Sequence, residues 1–260
     1  MSNNGVPRIL KYLRATHGGL TQDQLAERLS VSTSLIAKFE TARLIPMPDT
    51  ARRLDEVFDT GDLVQGLSRD ARKTAPPDWF GPFADREREA VTLRSYEPQY
   101  VPGLLQTEAY ARAVLDAGLL DESAAAEQLT VRLQRQATIR DGDRPPLMTF
   151  VLDAQALRRG DAELMKDQLV HLLDLAARSR LYVHVVPDDA GLYVGQSGPF
   201  VLATMPDGST VAYLEDQLAG RTIIDPVQVA SLVQCWDGVR SVALNHDQSQ
   251  RLMSEMVNKL

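Results

Sequence analysis

The sequence predicts a multi-domain chain: an all-α N-terminal domain followed by a larger, mixed α+β C-terminal domain. Three observations carry this. Residues 1–75 show only helical spacing of apolar side chains, a proline- and glycine-bearing stretch follows, and beyond it helical faces alternate with short apolar runs bounded by prolines. A length of 260 residues accommodates two modest domains at roughly 100–200 residues each. The boundaries read as a domain over 1–75, a linker over 76–82 and a second domain over 83–260. At 44% hydrophobic and 24% charged residues, the chain can bury real cores, which excludes wholesale disorder.

In the first domain, Ile9, Leu10 and Leu13 share a helical face between Val6 and Thr16, with Pro7 suited to the first turn. Gly18-Gly19 ends that helix. Thr21 opens the next, and Gln24 three residues on completes a capping-box pattern. The linker contains Pro76-Pro77-Asp78-Trp79-Phe80-Gly81-Pro82, where Trp79 and Phe80 are expected to pin the start of the second domain. There, helices are predicted over 84–93 and 107–117, the latter capped by Thr107. Prolines 98 and 102 make the segment from Tyr96 to Gly103 extended. A polar helix follows over 121–140, then a strand from Leu147 to Leu152. Met165, Leu169, Leu172 and Ala176 form one helical face, leading into a strand from Leu181 to Val186 that Pro187 ends. Asp207-Gly208 joins 199–205 to 210–214 as a hairpin. Val229, Val233, Trp236 and Val239 share a face of a helix starting at Pro226. A last helix, from Gln248 to Leu260, carries Leu252, Met253, Met256 and Leu260. That face either closes the second domain's core or supplies a dimer contact, its methionines suiting an adaptable groove.

The sharpest motif runs from Gln22 to Thr41. It fits a helix-turn-helix, two helices crossing steeply with the second able to enter a DNA major groove. Ala26 sits at the crossing, where a larger side chain would push the helices apart. Leu25, Leu29, Val31, Ile36 and Phe39 make the shared core, and Ser32 caps the second helix, leaving Thr33, Ser34 and Lys38 outward. The pattern resembles the lambda-repressor-like (XRE-type) helix-turn-helix family, whose Gln, crossing Ala and late Glu are matched by Gln22, Ala26 and Glu40. The resemblance implies that Thr33, Ser34 and Lys38 face base edges while Gln22, Ser32 and Arg43 contact the DNA backbone. Ser30 and Ala42 stand where the family usually has glycine. A side chain at positive φ costs ~1–2 kcal/mol, so one or both turns are expected to adopt another geometry.

Charge is divided unevenly. The net charge is −7, yet residues 1–75 balance at +2 and residues 8–53 at +4, while 76–260 balance at −9. A mildly basic head on an acidic body suits one end meeting phosphate.

The second domain shows little chemistry. Gly195-Gln196-Ser197-Gly198-Pro199 lacks the final glycine and the strand-to-helix setting of a nucleophile elbow. His17, His171, His184 and His246 have no metal-ligand spacing, and His184 reads as a core or edge histidine. Glu87 and Glu89 point to different sides of their helix. Asp141-Gly142-Asp143 is a helix-ending turn, and Cys235 a buried apolar group whose solitude excludes an intramolecular disulfide framework and a multi-thiolate zinc site. No catalytic residue, metal or cofactor is therefore expected. Lacking an apolar run of ~18–20 residues, the chain is expected not to span a membrane. Without a signal-peptide start, it is expected in the cytoplasm.

One stretch remains, Leu93-Arg94-Ser95-Tyr96-Glu97-Pro98-Gln99-Tyr100-Val101-Pro102-Gly103-Leu104-Leu105-Gln106-Thr107-Glu108-Ala109-Tyr110-Ala111-Arg112. It resembles a signature of actinobacterial WhiJ-like, antitoxin-like regulators, which join an XRE-type domain to a C-terminal domain of poorly defined function. The resemblance implies a double-stranded operator DNA as partner, and a C-terminal domain that binds a small acidic protein encoded nearby, a small ligand or its own copy. A homodimer is expected independently, because one recognition helix reads only a few base pairs. The expected function is a DNA-binding transcriptional regulator, with an interaction adaptor or a DNA-tethered enzyme as the alternatives.

Overall fold

In the computed structural model, the described residues are 5–42, 44–73, 80–216 and 219–260. They fall into two compact units that divide between Gly81 and Pro82. No helix among them is long and apolar enough to cross a membrane.

The first unit consists of α1 (Val6–Thr16), α2 (Gln22–Arg28), α3 (Thr33–Glu40), α4 (Pro48–Phe58) and α5 (Leu63–Lys73). The capping box at Thr21 is present: its hydroxyl accepts from the Gln24 amide, and the Gln24 side chain accepts from the Thr21 amide. Leu25, Leu29, Ile36 and Phe39 are buried with Leu10, Leu13, Leu54 and Phe58 in one small core, and Val31 packs partly buried against it. Ala26 is 2% exposed, as a helix crossing requires. At the start of α5, the buried Asp55 carboxylate accepts from the Val64 and Gln65 amides at 2.8 and 2.9 Å and from the Thr60 hydroxyl. These are amide donors that a helix start leaves without intrahelical partners.

The second unit is built on a six-stranded sheet: β1 (Thr92–Glu97), β2 (Leu147–Asp153), β3 (Leu181–Val186), β4 (Phe200–Thr204), β5 (Thr210–Glu215) and β6 (Gly220–Ile223). Spatial order is β3-β2-β1-β4-β5-β6, with β1, β2 and β3 parallel and β4, β5 and β6 joined antiparallel. The helices are α6 (Gly81–Glu89), α7 (Glu108–Asp116), α8 (Glu122–Ile139), α9 (Ala162–Ala176), α10 (Pro226–Val242) and α11 (His246–Val257). Val229, Trp236 and Val239 of α10 pack over Tyr96, Val151, Phe200 and Ala212 on one face of the sheet. The predicted mixed α+β class is therefore the observed one. The sequence-predicted helices over 107–117 and 121–140, the strands before Asp153 and Pro187, and the hairpin at Asp207-Gly208 are all present.

Several local expectations are corrected. The helix predicted over 84–93 ends at Glu89, because Thr92 onward pairs with β2 on one side and β4 on the other. Gly81 and Pro82, assigned to the linker, form the first turn of α6, where a proline's missing N–H costs nothing. The strand β6 went unpredicted because four residues around Gly220 carry too little apolar signal. The last helix runs from His246 to Val257 behind an Asn245 cap, with Leu260 half exposed beyond it. Its Met253 and Met256 are buried in the domain, where α11 packs on α9 and β3, so this face closes the core. Cys235 is half-buried rather than fully enclosed. Trp79 lies outside the described residues.

Candidate nucleic-acid interface

The local structure of the first unit follows from its turns. After α2 the chain reverses at Ser30, which takes φ 50°, and the Val31 amide closes onto the Ala26 carbonyl at 2.9 Å. After α3 it reverses at Ala42, at φ 59°, and the Leu44 amide reaches the Lys38 carbonyl at 3.2 Å. Both turns thus keep the left-handed geometry that glycine would favour, contrary to the expectation of another path. The surrounding packing and these closing hydrogen bonds hold the backbone in the strained region. The Arg53 guanidinium clamps the first turn from α4, donating to the Leu29 carbonyl.

Three helices are tied by one buried charge. Glu40, 3% exposed at the end of α3, receives Arg14 Nε at 2.8 Å, Arg14 Nη2 at 3.2 Å and Gln22 Nε2 at 2.7 Å. Burial alone would raise this carboxyl's pKa, but the donors from Arg14 and Gln22 outweigh it and hold it below the ordinary value. The same bonds hold the Arg14 guanidinium above its ordinary range. Arg14 Nη1 also donates to the Leu20 carbonyl at 2.6 Å, bracing the loop before α2. Glu40 was visible in sequence as a family match, but its partner Arg14 was not: 26 residues separate them, and no local pattern links them.

Around this frame the predicted contact residues take distinct places. Ser34 and Lys38 are exposed on α3, and among the described residues their side chains make no hydrogen bond or ion pair. Thr33 is half-buried, its hydroxyl donating to Asp23 Oδ1 at 2.5 Å. Ser32 Oγ accepts from the Leu35 amide at 3.3 Å and so serves as the cap of α3. Gln22, expected at a phosphate, starts α2 half-buried with one amide hydrogen committed to Glu40. Arg43 lies outside the described residues. The arrangement presents a short helix with small hydroxyls at its N-terminal end and a lysine in its last turn. Such a surface suits base edges and phosphates in a major groove. Asp23 is the residue that sequence reasoning missed here. Its distance of ten positions from Thr33 hid the pairing.

The motif fragments of the second unit lie at separate places in the fold. Ser197 is exposed in the loop before β4. His184 is 5% exposed, with Nδ1 3.0 Å from the Leu244 carbonyl, and burial holds its pKa down at about 4. Glu87 is buried against Arg135, while Glu89 faces solvent. Asp141 bridges Arg140 and Arg178. Among the described residues, no group of three or more His, Cys, Asp or Glu side chains is placed to hold a metal ion.

Comparison with known proteins divides the chain similarly. A helix-turn-helix domain model matches residues 8–65, and the model of a domain of unknown function (DUF5753) matches residues 80–255. No curated protein and no solved structure matches the chain. The N-terminal unit is a helix-turn-helix domain of the DNA-binding kind.

Proposed function

We propose that this chain, which belongs to the family defined by the domain of unknown function (DUF5753), is a sequence-specific transcriptional regulator. The single observation that carries the reading is the exposed face of α3, supported on three sides by the Arg14–Glu40–Gln22 cluster and by the two left-handed turns. Thr33, Ser34 and Lys38 read base edges, and Gln22, Ser32 and Arg43 approach the phosphates. Lys38 donates to guanine O6 or N7. Because the Thr33 hydroxyl already donates to Asp23, it meets a base as an acceptor, which favours adenine N6 or cytosine N4. Each good contact discriminates by ~1–3 kcal/mol.

A single α3 spans few base pairs, so the regulator acts as a homodimer on two half-sites about one helical turn apart. The DUF5753 unit is a receiver rather than a catalyst. The WhiJ-like resemblance of residues 93–112 supports a small acidic protein, in an antitoxin-like pairing, or a ligand as its signal. The signal changes DNA affinity by no more than its differential affinity for the two states of the dimer.

Fluorescence anisotropy on the DNA upstream of its own gene tests this, with scrambled DNA and the Thr33→Ala, Ser34→Ala and Lys38→Ala variants alongside, at two salt concentrations. Selective binding that weakens with salt and with these substitutions is expected. Equal binding to scrambled DNA, or indifference to all three substitutions, overturns the reading and favours the interaction adaptor.

A further inference from the structure

The stretch from Leu93 to Arg112 places more polar chemistry in one spot than the fold needs. Glu97 ends β1 at the carboxyl edge of the parallel strands, beside the point where chain order diverges toward β2 on one side and β4 on the other. Open α/β sheets favour that position for ligands. Tyr96 pairs with Phe200 and Phe200 with Leu214, so extending the register by one residue puts Glu97 and Glu215 on the same face at the same height, with residue 199 between them. Across from them, α8 contributes Arg132 and Arg135. Arg135 is committed to Glu87 through bonds of 2.7 and 2.8 Å.

Arg132 is different. Its Nη1 donates at 2.7 Å to Gln106 Oε1, and Gln106 is itself locked by its bond to the Val101 carbonyl at 2.7 Å. That is the only hydrogen bond of the Arg132 side chain among the described residues, which leaves the rest of a pre-aimed guanidinium fork. Among the same residues the Glu97 side chain makes no hydrogen bond, and no ion pair within 4 Å joins it to Arg132, although each feels the other's charge. Densely surrounded by protein, both still reach solvent. Glu215 Oε2 accepts from the Tyr213 hydroxyl at 3.2 Å. A carboxyl pair and a fixed guanidinium, near one another but not joined, offer the charges that complement a molecule carrying both signs.

We propose that Glu97, Glu215 and Arg132 form a binding site for a small zwitterion of the α-amino-acid class, its ammonium between the two carboxylates and its carboxylate on the Arg132 fork. This rests on the reading of the DUF5753 unit as a signal receiver and names the class of signal. A linked proton belongs to it. Burial and the neighbouring Glu215 push the Glu97 carboxyl up to about 8, with Arg135 and Arg132 pulling it down; Tyr96 and Tyr110 also face its charge. Near neutral pH the site is therefore mostly protonated, and an arriving ammonium expels that proton.

The test is calorimetric titration of the full-length protein with glycine, L-alanine, L-glutamine and L-arginine singly, and with acetate and methylammonium as separate probes. Saturable binding of at least one amino acid is expected, tighter than either fragment by tenfold or more. Glu97→Gln and Arg132→Met should each weaken it tenfold or more while the thermal unfolding of the variants stays unchanged. Affinity should rise roughly eightfold from pH 7 to 8.5, as Glu97 no longer has to lose a proton. In buffers of different ionisation enthalpy, proton release at pH 7 should approach one per site. Acetate binding as tightly as any amino acid, or no saturation by ~10 mM of any of them, overturns the zwitterion site. Titration of operator DNA separates the two readings. Absent amino-acid binding in a protein that still grips its DNA removes the site alone, whereas amino-acid binding that leaves DNA affinity unchanged removes its signalling role.

Discussion

The two strained turns give a prediction that can be worked through. Ser30 and Ala42 hold φ of 50° and 59°, a region that costs a residue with a Cβ ~1–2 kcal/mol. Both side chains are exposed, and among the described residues neither makes a hydrogen bond, so replacing them with glycine removes only that cost. Glycine's larger unfolded-state entropy takes back ~0.4–1 kcal/mol at each position. The expected net gain is about 0.5–1 kcal/mol for Ser30→Gly or Ala42→Gly. For the first unit, a domain of this size, 1 kcal/mol is roughly 4–8 °C in Tm. The assay is differential scanning calorimetry of the full chain, in which the two compact units are expected to unfold as separate transitions. The double variant should raise the transition of the first unit by roughly 4–16 °C and leave the second in place. A first transition that stays within about 1 °C of its original position, or falls, would refute the claim that these turns carry left-handed strain.

Other predictions address the charges and the core. Glu40→Gln should lower the first transition by ~2–3 kcal/mol, since it leaves Arg14 in a part-buried site without its counter-charge. Because Glu40's folded pKa lies below its unfolded value, its contribution is present above the ordinary carboxylate pKa and is lost as pH falls through the folded one. The variant's calorimetric Tm should therefore depend less on pH in the acid range. His184, held neutral with a pKa of about 4 against 6.5 unfolded, should cost the second unit up to ~3 kcal/mol as pH falls from 6.5 toward 4, and His184→Gln should flatten that slope in an acid titration of Tm. Met253→Ala should destabilise the second unit by ~2–5 kcal/mol through a cavity, with the sedimentation coefficient unchanged; dissociation of an oligomer instead would return α11 to the role of an interface. Lys38→Ala should weaken operator binding by ~1–3 kcal/mol and relax preference at one base position, read by anisotropy against single-base operator variants.

What the sequence determined by itself is whatever local physics encodes. The Thr21 capping box, the helical stripe of Ile9, Leu10 and Leu13, the crossing at Ala26 and the hairpin at Asp207-Gly208 involve neighbours within a few residues, so their spacing is enough. The exposed face of α3 was legible for the same reason, since a capped helix with a known apolar side has a known polar one. Tertiary structure decided the rest. Whether residues 90–93 continue a helix or enter a sheet depended on strands more than 50 and 100 positions away, because a central strand gains its hydrogen bonds from partners on both sides. The methionines of α11 had one sequence pattern and two destinations, and packing on α9 and β3 chose between them. Ser30 and Ala42 looked like departures from the left-handed turn, yet the folded chain holds both there, with the Val31 amide closed onto the Ala26 carbonyl and the Leu44 amide onto the Lys38 carbonyl. Arg14 with Glu40 and Asp23 with Thr33 meet only in the folded chain, and only there do Glu97, Arg132 and Glu215 feel one another's charge. Charge acts through space, and the intervening sequence holds no trace of a distance that folding alone sets.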